Sequence, residues 1–181
     1  DGDWDRAYLH STTGVFVILD DRLVFPYNGF SGLGADGSRS MYHGASVGLA
    51  TLRRDGFASM HAGSEPGTLT TRPVTFSGKR LFVNVDAPGG RLRAEVLDAD
   101  GKPIEPYTLA KSIAFSGDST LEELRWEGGT DLSALAGQPV RFRFELANGS
   151  LYAFWVSRGR NRPQRRLRGR RRPRLHRPDR Y

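Results

Sequence analysis

Apolar and polar positions alternate with a period of two along much of the chain, which is the signature of strands with one covered face. Leu81, Val83 and Val85 fall on one side of an extended segment, and Arg80, Phe82 and Asn84 on the other. Leu92, Ala94 and Val96 repeat the pattern against Arg91, Arg93 and Glu95. The clearest case is Val140, Phe142, Phe144 and Leu146 against Arg141, Arg143 and Glu145. Residues 151–156 are almost wholly apolar, which predicts a strand with both faces covered. Pro88-Gly89-Gly90 reads as the turn between the first two strands, and residues 98–102 (DADGK) as another. Asn148-Gly149 predicts a two-residue hairpin joining the strand of 140–146 to that of 151–156. Residues 104–119 are poorly patterned and read as a crossing connection before a strand at 121–126. In residues 131–137 (DLSALAG), Asp131 as N-cap and Gly137 as stop predict a single helical turn.

The first fifty residues have a different texture. An apolar run at 15–19, the turn Asp20-Asp21-Arg22 and a second run at 23–27 predict a hairpin, with Pro26 favouring an edge or a strand end. Residues 28–44 are rich in Gly and Ser and read as a long loop. Val47, Leu49 and Leu52 lead into the turn Arg53-Arg54-Asp55-Gly56, where Gly56 is expected to take the positive φ and Phe57 to start a new strand. The resulting expectation is an all-β chain: an antiparallel, jelly-roll-like β-sandwich over residues 53–157, preceded by a separate piece of β-structure at 1–52.

Composition narrows this picture. The chain has 181 residues and no cysteine, so neither disulfides nor a thiolate metal site holds it together. Its four histidines, His10, His43, His61 and His176, lack a short ligand spacing, and no metal or cofactor is expected. No apolar run approaches the ~20 residues that span a bilayer, so no membrane partner is expected. The first residue is Asp1, which suggests that processing or truncation removed the true start. The net charge of +7 is a local property: the twelve Arg and one Asp from Arg158 onward carry +11, which leaves −4 for the residues before them. This Arg-rich tail, 158–181, has too few apolar residues to offset ordering entropy and is expected to be disordered. Three readings of it stand: a polyanion or nucleic-acid contact, a solubilising linker, and the product of a reading-frame error in a GC-rich gene. The third is preferred because the body already uses twelve Arg to three Lys and the tail starts where the last strand ends.

Residues 2–32 (GDWDRAYLHSTTGVFVILDDRLVFPYNGFSG) resemble the last blade of five-bladed propeller glycoside hydrolases of the kind grouped in families 32 and 43. SVGLATLRRDGF at 46–57, with GTLTTRPVTF at 67–76, resembles the exit from such a propeller into its C-terminal sandwich. DLSALAGQPVRFRFEL at 131–146 and LYAFWV at 151–156 are similar to that sandwich's last strands. The resemblance implies a partial last blade at 1–52, a carbohydrate partner, and catalytic carboxylates on earlier blades outside this chain.

Glycoside hydrolysis needs two carboxyl groups across the scissile bond. Asp3 and Asp5, two residues apart, would point the same way on a strand, and their competing reading is a pair of exposed turn acids. Trp4, Tyr8, Tyr27 and Tyr42 offer flat faces for sugar rings or, alternatively, packing within a blade. Asp3, Trp4, Asp5, Tyr27 and Tyr42 are therefore the candidate sugar-contacting residues. A stand-alone carbohydrate-binding module is the competing function, with Trp126 as its example of a surface aromatic.

Overall fold

The computed structural model describes residues 3–11, 14 and 16–159. The expected disorder of the Arg-rich tail, and its polyanion reading, fall almost entirely outside the described residues. The described chain is all-β and antiparallel, folded as two separate sheets.

In the first sheet β1 (Tyr8–Ser11) and β2 (Val17–Leu19) lie one after the other along one side of β3 (Arg22–Phe30), and β4 (Ala45–Arg53) runs along its other side. The β2–β3 hairpin forms around Asp20-Asp21 as expected, with Leu19 opposite Arg22 and Asp20 at φ 47. β3 extends to Phe30, so the loop is shorter than its composition suggests, and it is closed by Gly32 N–H donating to the His43 carbonyl at 3.1 Å.

The second sheet contains β5 (Met60–Ala62), β6 (Gly67–Thr70), β7 (Arg80–Leu97), β8 (Phe115–Glu123), β9 (Arg141–Ala147) and β10 (Gly149–Ser157). The order is β5-β10-β7-β9-β6, with β8 also along β7. Here two expected turns prove to be bends. β7 passes through Pro88-Gly89-Gly90 without reversing, and β9 and β10 do not pair with each other. Both run antiparallel to β7, from Arg141 opposite Leu97 to Ser157 opposite Arg80. Asn148 takes φ 46 at the break between them. The glycines are needed because the two chains approach closely there: a Cβ on Gly149 would lie 2.5 Å from that of Ala87. Turn chemistry within a long ribbon thus bends it, as bulges do at the corners of sandwiches.

The bend folds the sheet over itself into a nearly closed, barrel-like body. Phe154 of β10 meets Phe142 and Phe144 of β9 with ring centres 5.8 and 5.1 Å apart. Leu81, Val83, Val85, Leu92, Val96 and Leu146 fill the same core. Each such side chain contributes roughly 1.5–3 kcal/mol on full burial, against the entropy of ordering the chain. The strand covered on both faces is the first half of β7, where even Asn84 is fully buried, whereas residues 152–156 of β10 stay partly exposed. Residues 98–102 turn as expected, with the Asp98 carboxylate accepting the N–H groups of Asp100 and Lys102. β8 begins at Phe115 inside the expected crossing connection and ends before Trp126. Residues 133–135 form one short 3-10 turn, whose entry is fixed by Ser133 N–H donating to the Asp131 carboxylate at 2.8 Å.

The turn at 53–56 forms, closed by Gly56 N–H to the Arg53 carbonyl at 3.0 Å. The positive φ falls on Asp55 (53°) rather than Gly56. No hairpin results, because β4 pairs with β3 and β5 with β10. The turn passes the chain from one sheet to the other.

Candidate functional site

Cross-strand partners project from the same face, so the β3 register sorts the first sheet into two surfaces. One carries Leu23, Phe25, Tyr27 and Gly29 with Leu52, Ala50, Gly48, Ile18 and Leu9. The other carries Val24, Pro26 and Phe30 with Leu49, Val47, Val17 and Tyr8.

Three of the five sequence candidates meet on the first surface. The Trp4 and Tyr27 rings stack with centres 5.7 Å apart and planes 23° from parallel. The Tyr27 hydroxyl donates to Asp5 Oδ2 at 2.8 Å. Gly29 makes room for this, since a Cβ there would sit 2.5 Å from atoms of both Trp4 and Asp5. The bond to Asp5 holds the Tyr27 phenol above its ordinary pKa, with desolvation adding to the effect. Beside the cluster, Leu9, Ser11, Phe25, Tyr27 and Ala50 line an open, largely apolar groove of about 410 Å³.

The other two candidates do not join them. Tyr42 lies on the opposite surface, edge-on to Tyr8 and Phe30 at 5.4 and 5.7 Å. Asp3 and Asp5 sit in a turn rather than on a strand, with Arg6 N–H reaching back to the Asp3 carbonyl at 3.4 Å. The strand geometry that would have aimed both carboxylates one way is therefore absent. Trp126 is not a surface aromatic: it is 2 % exposed, donates its indole N–H to the Ala94 carbonyl at 2.8 Å and packs edge-on against Tyr107. Glu123 is likewise buried, and Arg80 bonds it at 2.7 Å. Among the described residues no cluster of His, Asp and Glu suits a metal ion, and no helix is long and apolar enough to cross a membrane.

What the cluster can do chemically is limited and specific. Trp4 offers its outer ring face, and the Asp5 carboxylate, which accepts from Tyr27, has room on its oxygens to accept a further hydroxyl hydrogen bond. One positioned carboxylate with an aromatic face suits binding a sugar better than cleaving one.

Sequence reasoning passed over a second polar site, the joint between the sheets. Arg53 donates Nε to Asn84 Oδ1 at 2.6 Å, Nη1 to Asp118 at 2.5 Å and Nη2 to the Val85 carbonyl at 3.0 Å. Its guanidinium lies 4.8 Å from the centre of the Tyr152 ring. Asn84 completes its own bonding by donating to the Arg54 carbonyl at 2.7 Å, and Arg54 N–H reaches the Asp21 carbonyl at 2.7 Å. The only sequence signal for this joint was an asparagine at a strand position whose neighbours are apolar.

A comparison of the chain with protein-family models, with curated proteins and with solved structures finds no match in any of the three.

Proposed function

We propose that this chain is the C-terminal part of a propeller-type glycoside hydrolase: a partial last blade, residues 1–52, followed by an accessory β-sandwich at 53–157. The observation that carries the reading is the apolar surface left open on the first sheet. Val47 and Leu49 are 71 % and 67 % exposed, Val17 and Leu19 are exposed on the same face, and Ile18, Leu9 and Phe16 are exposed on the opposite one. A sheet of this kind has apolar residues on both faces and almost no core of its own, which suits a slice stacked between neighbouring blades. On this reading the hydrolytic carboxylates belong to preceding blades and the sandwich braces the propeller, with the carbohydrate partner bound by the whole enzyme. The isolated chain is expected to be inactive on plant and bacterial glycans. Robust turnover by this chain alone would overturn the assignment, as would source DNA with no blade-encoding sequence upstream of the Asp1 codon.

A second reading, a stand-alone carbohydrate-binding module, draws support from the Trp4–Asp5–Tyr27 cluster. It requires measurable glycan affinity in the isolated chain and loss of that affinity in Trp4→Ala. Trp126 can no longer serve as its binding aromatic.

A further inference from the structure

The edges of the two sheets are built very differently. In the barrel-like body the edge strands are either short, as β5 and β6 with three and four residues, or irregular and acidic, as nine-residue β8 with its two register shifts against β7 and its Asp118, Glu122 and Glu123. β4 has nine residues and pairs with β3 from Ala45 to Arg53 in one unbroken register, with no bulge to twist its outer edge away. Among the described residues no strand pairs along that outer edge. From Ala45 to Leu52 it carries no charge and no proline, and most of its side chains are exposed. None of the usual protections against strand addition is present.

The sequence of this edge also indicates its occupant. In an antiparallel pairing about a two-fold axis each residue i meets a fixed partner j, and j meets i. Centred on Gly48, such a pairing of two copies sets Val47 against Leu49 and Leu49 against Val47 on one face. On that same face it sets Ala45 against Thr51, and on the other it sets Ser46 against Ala50. The two most exposed aliphatic side chains of the strand thus cover each other twice, and no like charges meet within the paired segment. The self-paired position is a glycine, already overlain by the Tyr27 ring of its own chain, so no side chain collides at the axis.

We propose that two copies of this chain associate edge to edge along β4, antiparallel and centred on Gly48, to form one continuous sheet. The pairing runs along the backbone rim of the first sheet and is argued from the register of β4, so it does not rest on the glycosidase reading, although Val47 and Leu49 figure in both.

The full chain is examined at physiological ionic strength, where the positive tails repel less. Light scattering is expected to give twice the chain mass of 20.1 kDa, falling to one chain mass on dilution. Leu49→Lys, which sets a charge against Val47 of the second copy, is expected to abolish the dimer and to melt at the same temperature as the wild-type chain diluted to one chain mass, because Leu49 is exposed. The absence of native cysteine allows the register to be read directly. Val47→Cys combined with Leu49→Cys is expected to form a covalent dimer on mild oxidation, and Val47→Cys alone to form far less. A wild-type chain that stays at one chain mass at the highest concentration reached overturns the proposal. So does a dimer that survives Leu49→Lys, and so does Val47→Cys crosslinking as efficiently as the double variant, which would indicate face-to-face packing.

Discussion

The two sheets of this protein solve the problem of covering apolar residues in opposite ways. The body at 53–157 bends one long ribbon, β7 against β9 and β10, over itself, so that Leu81, Val83, Phe142 and Phe144 are buried in one core, which Tyr107, Leu124, Trp126 and Leu132 from the connections complete. The sheet at the N-terminal side also carries many apolar residues but does not close over them, and among its described large residues only Leu23 is buried. The difference is one of topology rather than composition: a sheet of three strand positions cannot close on itself, and short meanders need packing from outside to be stable. One region closes over its own core, and the other is joined to it through Arg53 and through the bond from Asn84 to the Arg54 carbonyl.

The largest break in this comparison comes from the core of the body. Trp126→Ala removes a buried ring and its bond to the Ala94 carbonyl, with an expected cost of about 3–5 kcal/mol in urea unfolding. The same substitution at Trp4, on the open sheet, is expected to change global stability far less. Next comes the joint. Arg53→Ala leaves the buried Asn84 oxygen without its donor, an expected loss of about 1–3 kcal/mol. Arg53→Lys should recover little, because an ammonium cannot reach Asn84, Asp118 and the Val85 carbonyl together as the planar fork does. Hydrogen exchange would show both variants loosening β3 and β4 while β9 keeps its protection.

Smaller effects concern protons. Its bonds to Ser133 hold the Asp131 carboxyl below its ordinary value of 3.8. The ionised form is therefore favoured by folding, so its contribution is complete above that value and is lost as pH falls through the lower folded one. Asp131→Ala should flatten the acid limb of the stability profile. Tyr27 is shifted the other way, raised from 10.0 by its bond to Asp5. Its contribution is complete below 10.0 and is lost as pH rises through the folded value. Asp5→Asn should move the phenol's absorbance titration back toward that of a free tyrosine, and an unmoved titration would show that the bond does not form in solution.

The sequence is most legible where alternation is strict. Residues 80–85, 91–96 and 141–146 are strands whose alternating apolar side chains face the core as expected, although at 80–85 the second face, with Phe82 and Asn84, is covered too, and Asp20-Asp21 turns as its chemistry requires. It misleads where one residue type serves two geometries. Gly90, Asn148 and Gly149 permit the backbone angles of a hairpin, and the same angles bend a continuous ribbon; only the long-range partner, β7 against β9 and β10, decides between them. Asp55-Gly56 is a similar case, since a turn signal does not say which strands it joins. In the candidate site, residue type alone points to Trp4, Asp5 and Tyr27, but it groups Tyr42 with them, because a face cannot be known until register is known. Trp126 and Arg53 exchanged their apparent roles for the same reason: burial is set by partners far away in the chain.

Native-state hydrogen exchange on the isolated chain tests the central contrast most directly. The account predicts strong protection of the amides of β7 and β9, set by global unfolding of the body, and much weaker protection of the β1, β2 and β3 amides. Equal protection of both sheets, lost together at one denaturant concentration, would contradict it.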